Sequence, residues 1–158
     1  MAGSKTNAMR ILDSKKAEYS MLSYGANDGK IDGVSVAGKI GRPVEQVFKT
    51  LVAQGVSKEI FVFVIPAAEE LDLKKAARAA GDKKVEMIPV KDIQKFTGYI
   101  RGGCSPVGMK KLYRTFIDIR AAEQETIIVS GGKIGVQIEL SPNTLIESIQ
   151  AGLVDLTK

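Results

Sequence analysis

No histidine occurs in the 158-residue chain. That absence excludes Ser-His-Asp and Cys-His nucleophile pairs, histidine-ligated metals, and the side chain most used for proton transfer near neutral pH. Any chemistry must draw on other groups. There is one cysteine, Cys104. Alone it cannot close an internal disulfide, and without histidines it cannot complete a four-ligand zinc site, so no metal and no cofactor are expected. No apolar run approaches the roughly 18–20 residues of a membrane span, and the opening MAGSKTNAMRILDSKKAEY lacks the apolar block of a secretory signal. The expected setting is the cytoplasm, with no membrane partner. Repeats, linkers and low-complexity tracts are also missing. The length suits a single domain over residues 1–158, whose core buries roughly 70% of the surface of the unfolded chain.

What is present is the composition of a globular protein, with 44% apolar and 26% charged residues. Lys and Arg number 23 against 18 Asp and Glu, a net +5 compatible with a nucleic-acid partner. Ser4 or Thr6 can cap a first helix that runs to about Ala17. Residues 18–24 alternate like a strand, 25–33 are rich in turn formers, and 34–41 read as a short helix closed by Gly41. A β-branched and aromatic pattern at 46–53 predicts a strand containing Lys49. The run FVFVI at 61–65 is apolar at every position, as in a strand covered on both faces at the centre of a sheet. Residues 71–81 form a helix with Asp72 at its start and Gly81 past its end. A brief strand at 85–88 precedes a short helix that Pro89 begins. Strands follow at 114–119, 126–132 and 135–140, the last two a hairpin, and Ser141-Pro142 opens the final helix. The fold class is therefore α+β, a mixed, barrel-like sheet of six to seven strands with flanking helices.

Three places stand out. Lys49 has apolar neighbours, and its ammonium either faces solvent or sits at a pocket mouth where a phosphate offsets desolvation. Ser130-Gly131-Gly132-Lys133 is either a tight turn or a set of amides and a hydroxyl open to a ligand. GGCSPVGMKK at 102–111 lacks the Gly-Lys-Ser/Thr spacing of a phosphate loop, and Cys104 has no histidine to activate it. What remains is a loop whose glycines let the main chain approach a small ligand and which Pro106 stiffens.

VFKTL at 47–51, LDLKKAARAAGDKKVEM at 71–87, TGYIRGGCSPVGMKK at 97–111 and TIIVSGGKIGVQIEL at 126–140 together resemble the bacterial YbaK/EbsC family. Its members are Cys-tRNA(Pro) and Cys-tRNA(Cys) deacylases, related to the editing domain inserted in prolyl-tRNA synthetases. The four blocks span nearly the whole chain in the family's order. The resemblance implies a pocket for the terminal adenosine and amino acid of a mischarged tRNA, with prolyl-tRNA synthetase as a further partner. It implies that Lys49 is the functional lysine, touching the phosphate or ribose of the acceptor end, with Thr50 beside it. Gly102, Gly103, Ser105 and Pro106 match the family G-G-x-S-P that frames the aminoacyl group, and Cys104 occupies its variable position. Tyr24 and Ser130 match further pocket residues. Gln137 stands where many members have Asp, and Asp32 where an aromatic residue is frequent. The implied mechanism needs no histidine, because the substrate's own thiol attacks its ester. Removal of another small amino acid, as from Ala-tRNA(Pro), and a non-catalytic nucleic-acid- or protein-binding regulator are the alternatives.

Overall fold

The computed structural model describes residues 5–158; Ser4 lies outside them. Eight strands occur among the described residues: β1 (Ser20–Ser23), β2 (Phe48–Gly55), β3 (Ile60–Pro66), β4 (Val85–Met87), β5 (Arg114–Asp118), β6 (Ile127–Lys133), β7 (Val136–Leu140) and β8 (Gly152–Val154). The helices are α1 (Asn7–Ser14), α2 (Gly33–Ile40), α3 (Leu73–Ala80), α4 (Ile93–Thr97) and α5 (Pro142–Ile149). The fold is α+β, with its strands divided between two sheets of order β1-β7-β6 and β4-β2-β3-β5-β8. Three-residue pairing leaves β4 touching only one end of β2, and a single parallel bridge between Val47 and Ile128 links the sheets. That is too little pairing to close a barrel, so the expected barrel-like sheet of six to seven strands is corrected to an open pair with eight.

The two sheets bury one core between them. Phe48, Val62, Val64 and Ile117 of the larger sheet meet Ile127, Val129, Ile138 and Leu140 of the smaller one, and α1 and α5 close the ends with Leu12 and Leu145. On the other face of the larger sheet, Phe61, Phe63 and Ile65 pack under Ala76, Ala77 and Ala80 of α3. β3 is thus covered on both sides, as its unbroken apolar run requires, and it lies in the middle of its sheet. Each such large side chain contributes about 1.5–3 kcal/mol by leaving water.

Local chemistry sets the element ends. Thr6 accepts the Met9 N–H at the start of α1, Asp72 accepts those of Lys74 and Lys75 at α3, and Ser141 that of Thr144 at α5. Gly41 and Gly81 take left-handed conformations where α2 and α3 stop. α1 ends at Ser14, short of Ala17, because Lys16 turns to φ 56° and the Ala17 N–H returns to the Leu12 carbonyl. Residues 90–92 form a 3-10 turn, so α4 begins only at Ile93. Beyond β5, two elements have no counterpart in the sequence reading, the 3-10 turn Ile119–Glu123 and β8. Both hang on buried Asp118, whose carboxylate accepts the N–H of Arg120 and of Leu156.

Candidate active site

Residues 48–51 of β2 are the foundation of the site. Alternation along a strand puts Lys49 on the α3 side with Leu51 and Ala53, and Thr50 on the inter-sheet side with Phe48. A cavity of about 720 Å³ reaches both residues, because on the edge away from β3 the pairing with β4 starts only at Ala53. The main-chain groups follow the same period. The Val47 carbonyl accepts from Ala67 beside β3, whereas the Val52 carbonyl accepts from Ile88 on the opposite edge. Thr50 shares the orientation of Val52, so its N–H and C=O point along an edge that no strand covers.

Two loops and a hairpin complete the walls. Lys39 fastens the loop before α2, donating to the carbonyls of Gly25 and Lys30 at 2.7 and 2.9 Å and to Asp28 at 2.7 Å. Asp32 caps α2, accepting from the Ser35 N–H and hydroxyl at 3.1 and 2.7 Å. Those two bonds hold its carboxyl below the usual carboxylate range. The cap also explains why a polar residue occupies position 32. Gly102 sits at φ +85°, where a methyl group would lie 2.4 Å from the Ile31 side chain. A methyl on Gly103 would come within 3.0 Å of the Ile134 nitrogen and 3.2 Å of Lys133 main-chain atoms. Glycine lets this collar wedge between the α2 loop and the β6–β7 turn.

Of the residues singled out in the sequence, Lys49, Thr50, Gly102, Ser130 and Gln137 line the cavity together. Gly103, Ser105, Pro106 and Tyr24 do not line it. Ser105 is fully buried and accepts the Val107 N–H at 3.2 Å, bracing the collar from behind. Tyr24 carries the Lys39 ammonium 5.7 Å from its ring centroid. Arg101, Ile31 and Asp32 also line the cavity. For Arg101 the available signal was a cation immediately before the glycine pair.

The ionisable lining groups are few. Lys49 is half-buried and makes neither an ion pair nor a side-chain hydrogen bond with a described residue. Its ammonium is free for an anion. Cys104 also borders the cavity, but its thiol packs in the apolar cluster of Val52, Ile60 and Tyr99, where burial pushes its pKa up to about 11. It stays protonated and a poor nucleophile at neutral pH. Two buried polar atoms among the described residues have no hydrogen-bond partner, the Tyr24 hydroxyl and Thr50 Oγ1. An unmet buried hydroxyl costs about 1–3 kcal/mol, and Thr50 lies where a ligand would relieve it. Among the described residues no group of three or more Cys, Asp or Glu is placed to hold a metal ion, and no helix is long and apolar enough to cross a membrane.

A model of the aminoacyl-tRNA editing domain family matches residues 33–147. The chain is 44% identical over 153 residues to a protein of Enterococcus faecalis (strain ATCC 700802 / V583) that carries the provisional name Cys-tRNA(Pro)/Cys-tRNA(Cys) deacylase EbsC. The match covers 97% of this chain and 93% of that protein. Among solved structures, the hypothetical protein APE2540 superposes with a TM-score of 0.89 at 20% identity, over 97% of this chain and all of that one. A provisionally named trans-editing enzyme for prolyl tRNA synthetase does so with 0.84 at 21% identity, over 99% of each. These two likenesses carry the fold.

Proposed function

The chain belongs to the aminoacyl-tRNA editing domain family, and from that premise we propose that it deacylates mischarged tRNA in trans, releasing cysteine from Cys-tRNA(Pro) and Cys-tRNA(Cys). The observation that carries the chemistry is the make-up of the cavity wall. It offers an unpaired ammonium, glycine-lined main chain and one unmet hydroxyl, that of Thr50, but no side chain free to act as a base near neutral pH. Asp32 is committed to its helix cap and the Cys104 thiol is held protonated. A wall of that kind suits a substrate that brings its own nucleophile.

In this mechanism Lys49 holds the phosphate or ribose of the terminal adenosine, and the collar frames the cysteinyl group through Gly102, with Ser105 bracing it from behind. The substrate sulfur attacks its own ester carbonyl, and the carbon–sulfur bond forms as the bond to the ribose oxygen breaks. The thiol proton ends on the freed ribose hydroxyl, leaving a thiolactone and uncharged tRNA. The protein contributes orientation, which is worth on the order of 7–11 kcal/mol when reacting atoms are well aligned. Main-chain N–H groups near the carbonyl, including that of Thr50 at the uncovered edge of β2, stabilise the developing oxyanion. Thr50, Ser130 and Gln137 shape the amino-acid subsite, Tyr24 stands off it beneath Lys39, and prolyl-tRNA synthetase is the natural co-binder of the same tRNA.

The test is ester loss from Cys-tRNA(Pro), Ala-tRNA(Pro) and S-methylcysteinyl-tRNA(Pro). The expected result is rapid cleavage of the first alone. Equal cleavage of all three would replace the substrate thiol with an activated water, and binding without cleavage would leave a recognition module.

A further inference from the structure

The positive charge of the chain is concentrated. Residues 88–113 hold five cations, Lys91, Lys95, Arg101, Lys110 and Lys111, against Asp92 alone, a net +4 of the chain's +5. All five cations are exposed, and none forms an ion pair with a described residue. Some cations elsewhere do, among them Lys39, Arg42, Lys75 and Arg120, and the unpaired ones outside this segment, such as Lys74 and Arg78, are offset in number by the acidic residues of the remaining chain. The segment is also pinned. The Tyr99 hydroxyl donates to the Val107 carbonyl at 2.6 Å, the Tyr113 hydroxyl to Phe96 at 2.6 Å and the Asn7 amide to Gly108 at 2.8 Å. Lys110 lies back along α4, its ammonium 3.1 Å from the Lys95 carbonyl. Uncompensated like charges on a fixed scaffold repel one another in the free protein, and a polyanion relieves that repulsion.

The segment runs directly into the cavity through Arg101 and Gly102. Lys49 and Arg101 are the two cations of the cavity wall. An RNA chain whose esterified end sits beside Lys49 must leave over the rim, where Arg101 and the lysines behind it meet its phosphates. We propose that α4 and the loop to Lys111 form the docking platform for the acceptor-stem backbone of the tRNA, with Arg101 at the junction of platform and pocket. This rests on the deacylase reading for the identity of the polyanion. Phosphate contacts of this kind position the duplex without reading its sequence.

The probe is an uncharged tRNA(Pro) acceptor-stem minihelix, titrated at several salt concentrations. Two variants remove platform charge, Lys95→Gln/Lys110→Gln/Lys111→Gln and Lys91→Gln/Lys111→Gln, the second touching no side-chain hydrogen bond. A control, Lys74→Gln/Arg78→Gln/Lys83→Gln, removes equal charge on and just after α3, from exposed residues without ion pairs. Each lost duplex phosphate contact flattens the slope of log K against log salt by about 0.9. The triple platform variant is expected to flatten it by roughly 2 to 3, the double by somewhat less, and the control to leave it unchanged. Unchanged slopes in both platform variants, or equal flattening in the control, would overturn the platform. The expected binding pattern in a protein that leaves Cys-tRNA(Pro) intact would uphold the platform and overturn the deacylase reading instead.

Discussion

Replacing Thr50 by valine should make the protein more stable and less active. Thr50 Oγ1 is buried and has no hydrogen-bond partner, so the folded protein bears a desolvation cost of about 1–3 kcal/mol that an apolar γ-carbon removes. Valine keeps the branched shape that suits a strand. Taking only the lower part of that range, stability should rise by about 1 kcal/mol, or roughly 2–4 °C in melting temperature for a chain of this size. If the hydroxyl is held for the substrate, its loss removes one neutral hydrogen bond, and deacylation of Cys-tRNA(Pro) falls roughly 3- to 10-fold. Thr50→Ser keeps the hydroxyl and should keep most of the rate. The assays are thermal unfolding and single-turnover ester loss on the same preparations. A Thr50→Val protein that melts earlier and deacylates normally would refute the reasoning, since the hydroxyl would then serve the fold and not the ligand.

Alkaline stability should report on Cys104. Its thiol ionises at about 11 in the fold against an ordinary 9.0, so the unfolded chain loses the proton first as pH rises. The contribution is intact below pH 9 and lost between about 9 and 11, amounting to about 2–3 kcal/mol. Denaturant titrations from pH 8 to 11 should show a shallower decline for Cys104→Ala than for wild type. Gly103→Ala should cost about 1–3 kcal/mol, because its methyl group meets main-chain atoms at 3.0–3.2 Å that cannot simply rotate away. Denaturation and deacylation should both register the change, while Gly38→Ala, with open space around it, should not lower stability.

Most of the fold was legible because local signals agreed with the tertiary ones. The apolar run of β3, the caps at Asp72 and Ser141 and the glycines ending α2 and α3 each have one structural solution. The division into two sheets was not legible, since it depends on β4 pairing with only three residues of β2, a matter of register and not of composition. β8 was hidden for a related reason. Its three residues are fixed by a parallel pairing to β5 and by the distant Asp118 carboxylate, neither of which leaves a periodic trace. At the site, the residue pattern left Lys49 divided between solvent and pocket. Only the uncovered edge of β2 brings this half-buried residue to the cavity wall. Asp32 looked like a departure in the pocket until its bonds to Ser35 gave it a capping role. The opposed fates of Gly102, which lines the cavity, and Ser105, which braces from behind, follow from the turn of the collar itself.

The proposed reaction needs the Lys49 ammonium at this cavity and not the Cys104 thiol. The most direct measurement is the single-turnover rate of Cys-tRNA(Pro) deacylation by Lys49→Ala and Cys104→Ala, each first checked to be folded. A lost charge-assisted contact of about 1.5–3 kcal/mol should slow Lys49→Ala roughly 10- to 100-fold or more, while Cys104→Ala should match wild type. A folded Cys104→Ala protein without activity, or a Lys49→Ala protein at full rate, would contradict the account.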